Sequence, residues 1–109
     1  MLKKILLISA LFSVFNNLFS MDVTIKNEVE NKKVDFIMQQ IPMVEHKQSF
    51  KNVEKNREIK FTGVKPITDT IFAHLSEDIN NNTKITGNEI TNNLKLVQKA
   101  DGKLVFEKA

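Results

Sequence analysis

No cysteine occurs anywhere in the 109 residues, and neither does tryptophan or tyrosine. Without a thiol there is no disulfide, no thiolate metal site and no lipid attached through a cysteine. A small domain of this kind must be held by its apolar core alone. That fits a bacterial periplasmic or secreted protein better than an animal one, whose small secreted domains are usually disulfide-dense. Without Trp and Tyr, the rings that commonly stack on sugars or single-stranded bases are missing. Glycine is scarce too. Gly63, Gly87 and Gly102 stand alone, so there is no Gly-rich loop to cradle a phosphate.

What is present begins with MLKKILLISALFSVFNNLFS. Lys3 and Lys4 are followed by an uncharged run from Ile5 to Phe15, then by Asn16 and Asn17, with the small Ser20 before Met21. A basic start, an apolar run and a small residue at the end make the pattern of a secretory signal peptide. The run is shorter than the roughly 18 apolar residues that a spanning helix needs. Residues 1–20 are therefore expected to direct export and be removed. Ser20 suits the position before the cut; Leu18, two residues earlier, is larger than that position prefers. Residues 21–109 remain as a single domain, with room for one core. The formal charge falls from +3 to +1, because the leader holds two lysines and no acid. A near-neutral domain has no long-range field to gather nucleic acid, so no nucleic-acid partner is expected. No membrane span is expected after cleavage.

The remainder reads as strands. In DVTIKNEV, Val23, Ile25 and Val29 share one parity against Thr24, Lys26 and Glu28, a period of two. In VDFIMQQI, Val34, Phe36 and Met38 share a face, while Ile37 and Ile41 make the other face apolar as well, as in a central strand. Pro42 ends that ladder, having no N–H to give. Within residues 43–63, IKFTG, with Ile59 and Phe61, reads as a strand, while Val44, Phe50 and Val53 fit neither period, and the segment reads as a strand or a long loop. In ITDTIFAHL, Thr70, Phe72 and His74 alternate against Ile71, Ala73 and Leu75. SEDINNNT reads as a polar turn, with a short strand after it. The sharpest local signal is LKLVQKADGKLVFEK. A three-residue loop of Ala100, Asp101 and Gly102 would pair Leu96 with Phe106 and Gln98 with Leu104, and would put Val97 with Val105 and Lys95 with Glu107 on the opposite face. The fold expected is all-β: a small antiparallel sandwich, immunoglobulin-like or a partly open barrel, of about seven strands.

Reactive residues are few. Ser76, His46 and Asp69 could be imagined as a catalytic triad, yet no nucleophile elbow surrounds either serine of the mature part, Ser49 or Ser76. His74 and Glu77 would share a metal only on a helix, because residues three apart on a strand face opposite sides. Met38, Met43 and His46 have the soft-ligand chemistry that suits copper(I), although Met38 shares its parity with the core positions Val34 and Phe36. The strongest surface feature is basic. Lys47, Lys51, Lys55, Arg57, Lys60 and Lys65 stand in 47–65 against only Glu54 and Glu58.

These observations point to a non-enzymatic exported module that binds another protein or an envelope component, with no cofactor. One alternative is an effector that meets an anionic surface through Lys47, Lys51, Lys55, Arg57 and Lys60. The other is a small copper carrier.

Overall fold

The computed structural model describes residues 20–40 and 46–109. The leader up to residue 19, the residues Ile41 and Met43, and the side chains of His46 and Lys47 lie outside the described part. Eight strands form there: β1 (Met21–Asn27), β2 (Val34–Gln40), β3 (His46–Val53), β4 (Glu58–Val64), β5 (Asp69–Leu75), β6 (Asp78–Thr86), β7 (Asn93–Gln98) and β8 (Leu104–Lys108). One 3₁₀ turn, Gly87–Glu89, lies between β6 and β7.

The strands make two four-stranded sheets, ordered β4-β1-β7-β8 and β3-β2-β5-β6. The β-sandwich expected from the sequence is what forms. It has eight strands rather than about seven, and its order differs from the immunoglobulin one, in which the first, second, fourth and fifth strands share a sheet. Every pairing is antiparallel except β1 with β7, which run parallel from Thr24–Asn93 to Asn27–Leu96.

The apolar alternation explains which faces meet. Val23 and Ile25 of β1, Val34, Phe36 and Met38 of β2, Ile71 and Ala73 of β5, and Leu94 and Leu96 of β7 are all buried between the sheets. Each of the fully buried Val, Ile, Leu, Phe and Met side chains contributes about 1.5–3 kcal/mol through area removed from water. β2 is central, pairing β3 on one edge and β5 on the other. Its outer face carries Ile37 opposite Phe72, both half-buried. Of the five phenylalanines after residue 20, Phe36 and Phe61 are fully buried, Phe50 and Phe106 pack against the core from its margin, and Phe72 lies on the outer face. The last hairpin has the register read from the sequence, Lys95–Glu107 through Gln98–Leu104. Its three-residue loop closes between Lys99 and Lys103 and holds Gly102 at φ 88°.

Two segments depart from the sequence reading. Residues 43–63 were ambiguous because both strands in that region are bulged. Val34 pairs Val53 and Phe36 pairs Phe50, so two steps on β2 meet three on β3. Met21 pairs Val64 and Val23 pairs Phe61, the same mismatch between β1 and β4. An extra residue shifts the inward parity by one position. Phe50 and Val53 thus both face inward although three apart, and so do Phe61 and Val64. The two bulges share one construction. Asn52 has φ 56° and Gly63 has φ 63°. The Asn52 N–H donates to Asp35 Oδ1 at 2.8 Å, and the Gly63 N–H donates to Asp22 Oδ1 at 3.3 Å. In each, an aspartate on the neighbouring strand takes the N–H that the bulge removes from the ladder.

The second departure is β6. SEDINNNT is not a turn throughout; only Ser76 and Glu77 turn, and Asp78–Thr86 is an edge strand. Only Ile85 of its nine residues is buried. On an edge with one shallow face, asparagines lose little by being extended, so turn-type composition misleads there.

Candidate functional site

The sandwich has two open sides, where the edges of the two sheets meet. On one, β6 packs against β8, and Asn81 Nδ2 reaches across to the Gly102 carbonyl at 2.9 Å. On the other, β3 and β4 are joined by the turn Glu54–Arg57, closed by the Arg57 N–H donating to the Glu54 carbonyl at 3.1 Å. Asn56 holds φ 66° in that turn, a backbone state asparagine tolerates better than most residues. Beyond that turn, a groove of about 550 Å³ lies between β3 and β4.

The groove has an apolar floor and a charged rim. Phe50, Val53 and Ile59 line its base. Phe50 meets Phe61 edge-on, with ring centroids 5.2 Å apart. Lys51, Arg57 and Lys60 stand on the rim with Glu54 and Glu58. The turn closes one end. At the other, the Gln48 side chain spans from β3 to β4: its Nε2 donates to the Thr62 carbonyl at 2.6 Å, and its Oε1 accepts the Thr62 N–H at 3.1 Å. These are the two bonds that a residue of an adjoining strand would make. The Gln48 amide therefore stands where another chain's peptide group would stand.

Of the five cations singled out in the sequence, the Lys47 side chain lies outside the described residues, and the other four are not gathered on one face. Lys51, Arg57 and Lys60 come together at the groove. Lys55 points away and pairs with Glu30 at 2.6 Å. The exposed Glu30 carboxyl is held below its usual value of 4.5, first by the hydrogen bond from Lys55 and then by its charge. Lys60 lies 3.5 Å from Asp22. Lys51 and Arg57 have no ion-pair partner among the described residues, and neither do Glu54 and Glu58.

Ser76 and Asp69 flank β5 from opposite ends, roughly 20 Å apart at strand rise, so they do not meet in one triad. Asp69 is buried, and its Oδ2 accepts the Lys65 N–H at 2.8 Å within the β4–β5 turn. Ser76 instead donates to Asp35 Oδ1 at 2.6 Å. His74 Nε2 lies 3.6 Å from Asp35 Oδ2, and His74 Nδ1 donates to the Leu75 carbonyl at 2.8 Å. The Asp35, Ser76 and His74 cluster braces the Asn52 bulge. No signal in the sequence marks it, because Asp35 and Ser76 are 41 residues apart. The serine hydroxyl bonds the carboxylate and not the imidazole, which is not a nucleophile–base pair. Met38 is buried in the core, while Met43 lies outside the described residues. Among the described residues no cluster of three His, Asp or Glu could hold a metal ion, and no helix is long and apolar enough to cross a membrane.

Comparison with protein-family models, with curated proteins and with solved structures finds no match to this chain.

Proposed function

We propose that the mature chain is an exported, non-enzymatic binding module that engages another protein or a component of the bacterial envelope through the β3–β4 groove. One observation carries this reading. The side of the sandwich between β3 and β4 combines a half-buried aromatic floor at Phe50 with an edge strand already bonded to a peptide-like group, the Gln48 amide. An apolar patch with a polar rim and unpaired strand edge beside it is how sheet proteins take an extended segment. The rim mixes both charge signs, so it favours a partner with alternating charges over a uniformly anionic surface.

The test is site-specific photo-crosslinking in the native envelope. A photoreactive side chain replaces Lys51 at the groove, and in a second variant replaces Lys103 in the β7–β8 loop. Adducts from position 51 alone support the reading. Equal adducts from both positions, or none from position 51, overturn it.

A further inference from the structure

We infer that the free edge of β4 pairs with β4 of a second copy of this chain. The inference rests on the reading of the β3–β4 side as the interaction surface and names an occupant for it. The Asn27 N–H donates to the Arg57 carbonyl at 3.0 Å, which makes Asn27 and Arg57 a hydrogen-bonded pair of the β1–β4 ladder. Such pairs alternate along an antiparallel ladder. Ile59 and Phe61, opposite Ile25 and Val23, therefore direct their main chain toward β1. Glu58, Lys60 and Thr62 direct theirs away from it. Thr62 is taken by Gln48. β4 ends its sheet, so no strand among the described residues pairs with the outward groups of Glu58 and Lys60.

A strand added antiparallel to this edge is centred on Ile59. Opposite charges directly across a ladder stabilise it, and like charges destabilise it. The added segment must then place an acid opposite Lys60 and a base opposite Glu58, which in its own chain direction reads acid–x–base. β4 itself reads Glu58-Ile59-Lys60. In a two-fold arrangement Glu58 of each copy faces Lys60 of the other, and each such pair exchanges both main-chain bonds. The same strand is self-complementary in charge and in hydrogen-bonding phase. Lys26 and Asp22 flank these residues on β1, and neither blocks the edge. The Glu54–Arg57 turn and the Gln48 clasp limit the window to three residues, so the association is weak and steeply dependent on concentration and salt.

Sedimentation equilibrium of the purified protein, from about 10 µM to about 1 mM in low salt, reads this directly, since a contact this small is populated only at high concentration. The expected result is a monomer–dimer equilibrium. Glu58→Lys and Lys60→Glu, each alone, put like charges across the two-fold and weaken self-association by about tenfold or more. An equimolar mixture of the two variants restores it, because the altered strands then complement each other. Monomer throughout the range overturns the proposal. So does a dimer that neither variant weakens, or variants whose mixture associates no better than either alone. Loss of self-association with adducts still forming at position 51 in the envelope would remove this inference and leave the binding-module reading standing.

Discussion

Asn27 Nδ2 donates to the main-chain carbonyl of Val53 at 2.8 Å, joining β1 of one sheet to β3 of the other. Asn27 is fully buried. Its Oδ1 accepts the Val29 N–H at 2.9 Å, and its own carbonyl accepts the Asn56 N–H at 2.7 Å. One residue thus ties the end of β1 to the end of β3 through its side chain, and to the turn that closes the groove through its main-chain carbonyl.

Removing that side chain is expected to be costly. Asn27→Ala strands the Val53 carbonyl and the Val29 N–H out of reach of water, and each such group costs about 1–3 kcal/mol. A loss of about 2–4 kcal/mol in urea unfolding is expected. Asn27→Asp keeps the acceptor for Val29 but turns a carboxylate toward the Val53 carbonyl, and should be no better than alanine. A loss under about 0.5 kcal/mol for Asn27→Ala, the range of an ordinary surface change, would contradict this.

The two bulges should respond differently to substitution. A Cβ at Gly63 would meet nothing closer than Ser20 Oγ at 3.9 Å, so space is not the obstacle; φ 63° is. Gly63→Ala should cost about 1–2 kcal/mol. Asn52→Gly, at a site where asparagine already tolerates a positive φ, should change stability by only a few tenths of a kcal/mol. Thermal unfolding of both variants checks the contrast, and equal losses would be inconsistent with it.

Asp35→Ala should destabilise more than either bulge substitution. It removes the acceptor for the Asn52 N–H and for the Ser76 hydroxyl together. If the cluster acts only by bracing the bulge, Ser76→Ala alone should be milder, at roughly 1 kcal/mol. Amide exchange at Asn52, slow in the parent and fast in Asp35→Ala, locates the effect.

Acid should weaken the fold in part through two exposed pairs. Glu30 is held below 4.5 by Lys55, and Glu107 is held below it by its hydrogen bond from Lys99. A carboxyl whose folded value is depressed adds stability above its unfolded value, and that stability is lost as pH falls through the folded value. The contribution is therefore full near neutrality, starts to fall near pH 4.5 and is gone once pH drops below the depressed folded values. Glu30→Gln and Glu107→Gln together should flatten the acid side of a plot of Tm against pH, and added salt should shrink the difference. An unchanged acid limb would rule these pairs out as contributors.

Anionic vesicles offer a separate check on the basic run. Lys55 and Lys60 already face Glu30 and Asp22, and Glu54 and Glu58 stand between Lys51 and Arg57. Flotation with anionic vesicles is expected to match that with neutral ones at physiological salt. Strong preference for the anionic vesicles, lost in a Lys51→Glu, Arg57→Glu double variant, would favour the surface-effector alternative.

The strands whose pairing is regular were legible residue by residue. Val23 and Ile25, Val34 to Met38, Ile71 to Leu75 and the Leu96–Phe106 hairpin all follow a period of two that burial repeats. β4 was legible at Ile59 and Phe61 but not at Val64, and β3 was not legible, because Asn52 and Gly63 each insert one residue and reverse the inward parity. β6 was hidden by asparagines that an edge tolerates. The groove was half visible: the cations were apparent as a charge run, but their division among Glu30, Asp22 and the groove rim was not.

The amino-acid order by itself determined that this is a thiol-free β domain in which most strands alternate apolar and polar residues, since alternation and turn residues act over only a few positions. The tertiary structure decided which strands became edges, that β1 runs parallel to β7, and that Gln48, Phe50 and Arg57 come together with Lys60 beside the outer edge of β4. Those outcomes depend on contacts between residues far apart in the chain, whose energies arise only once both sheets have closed over the core.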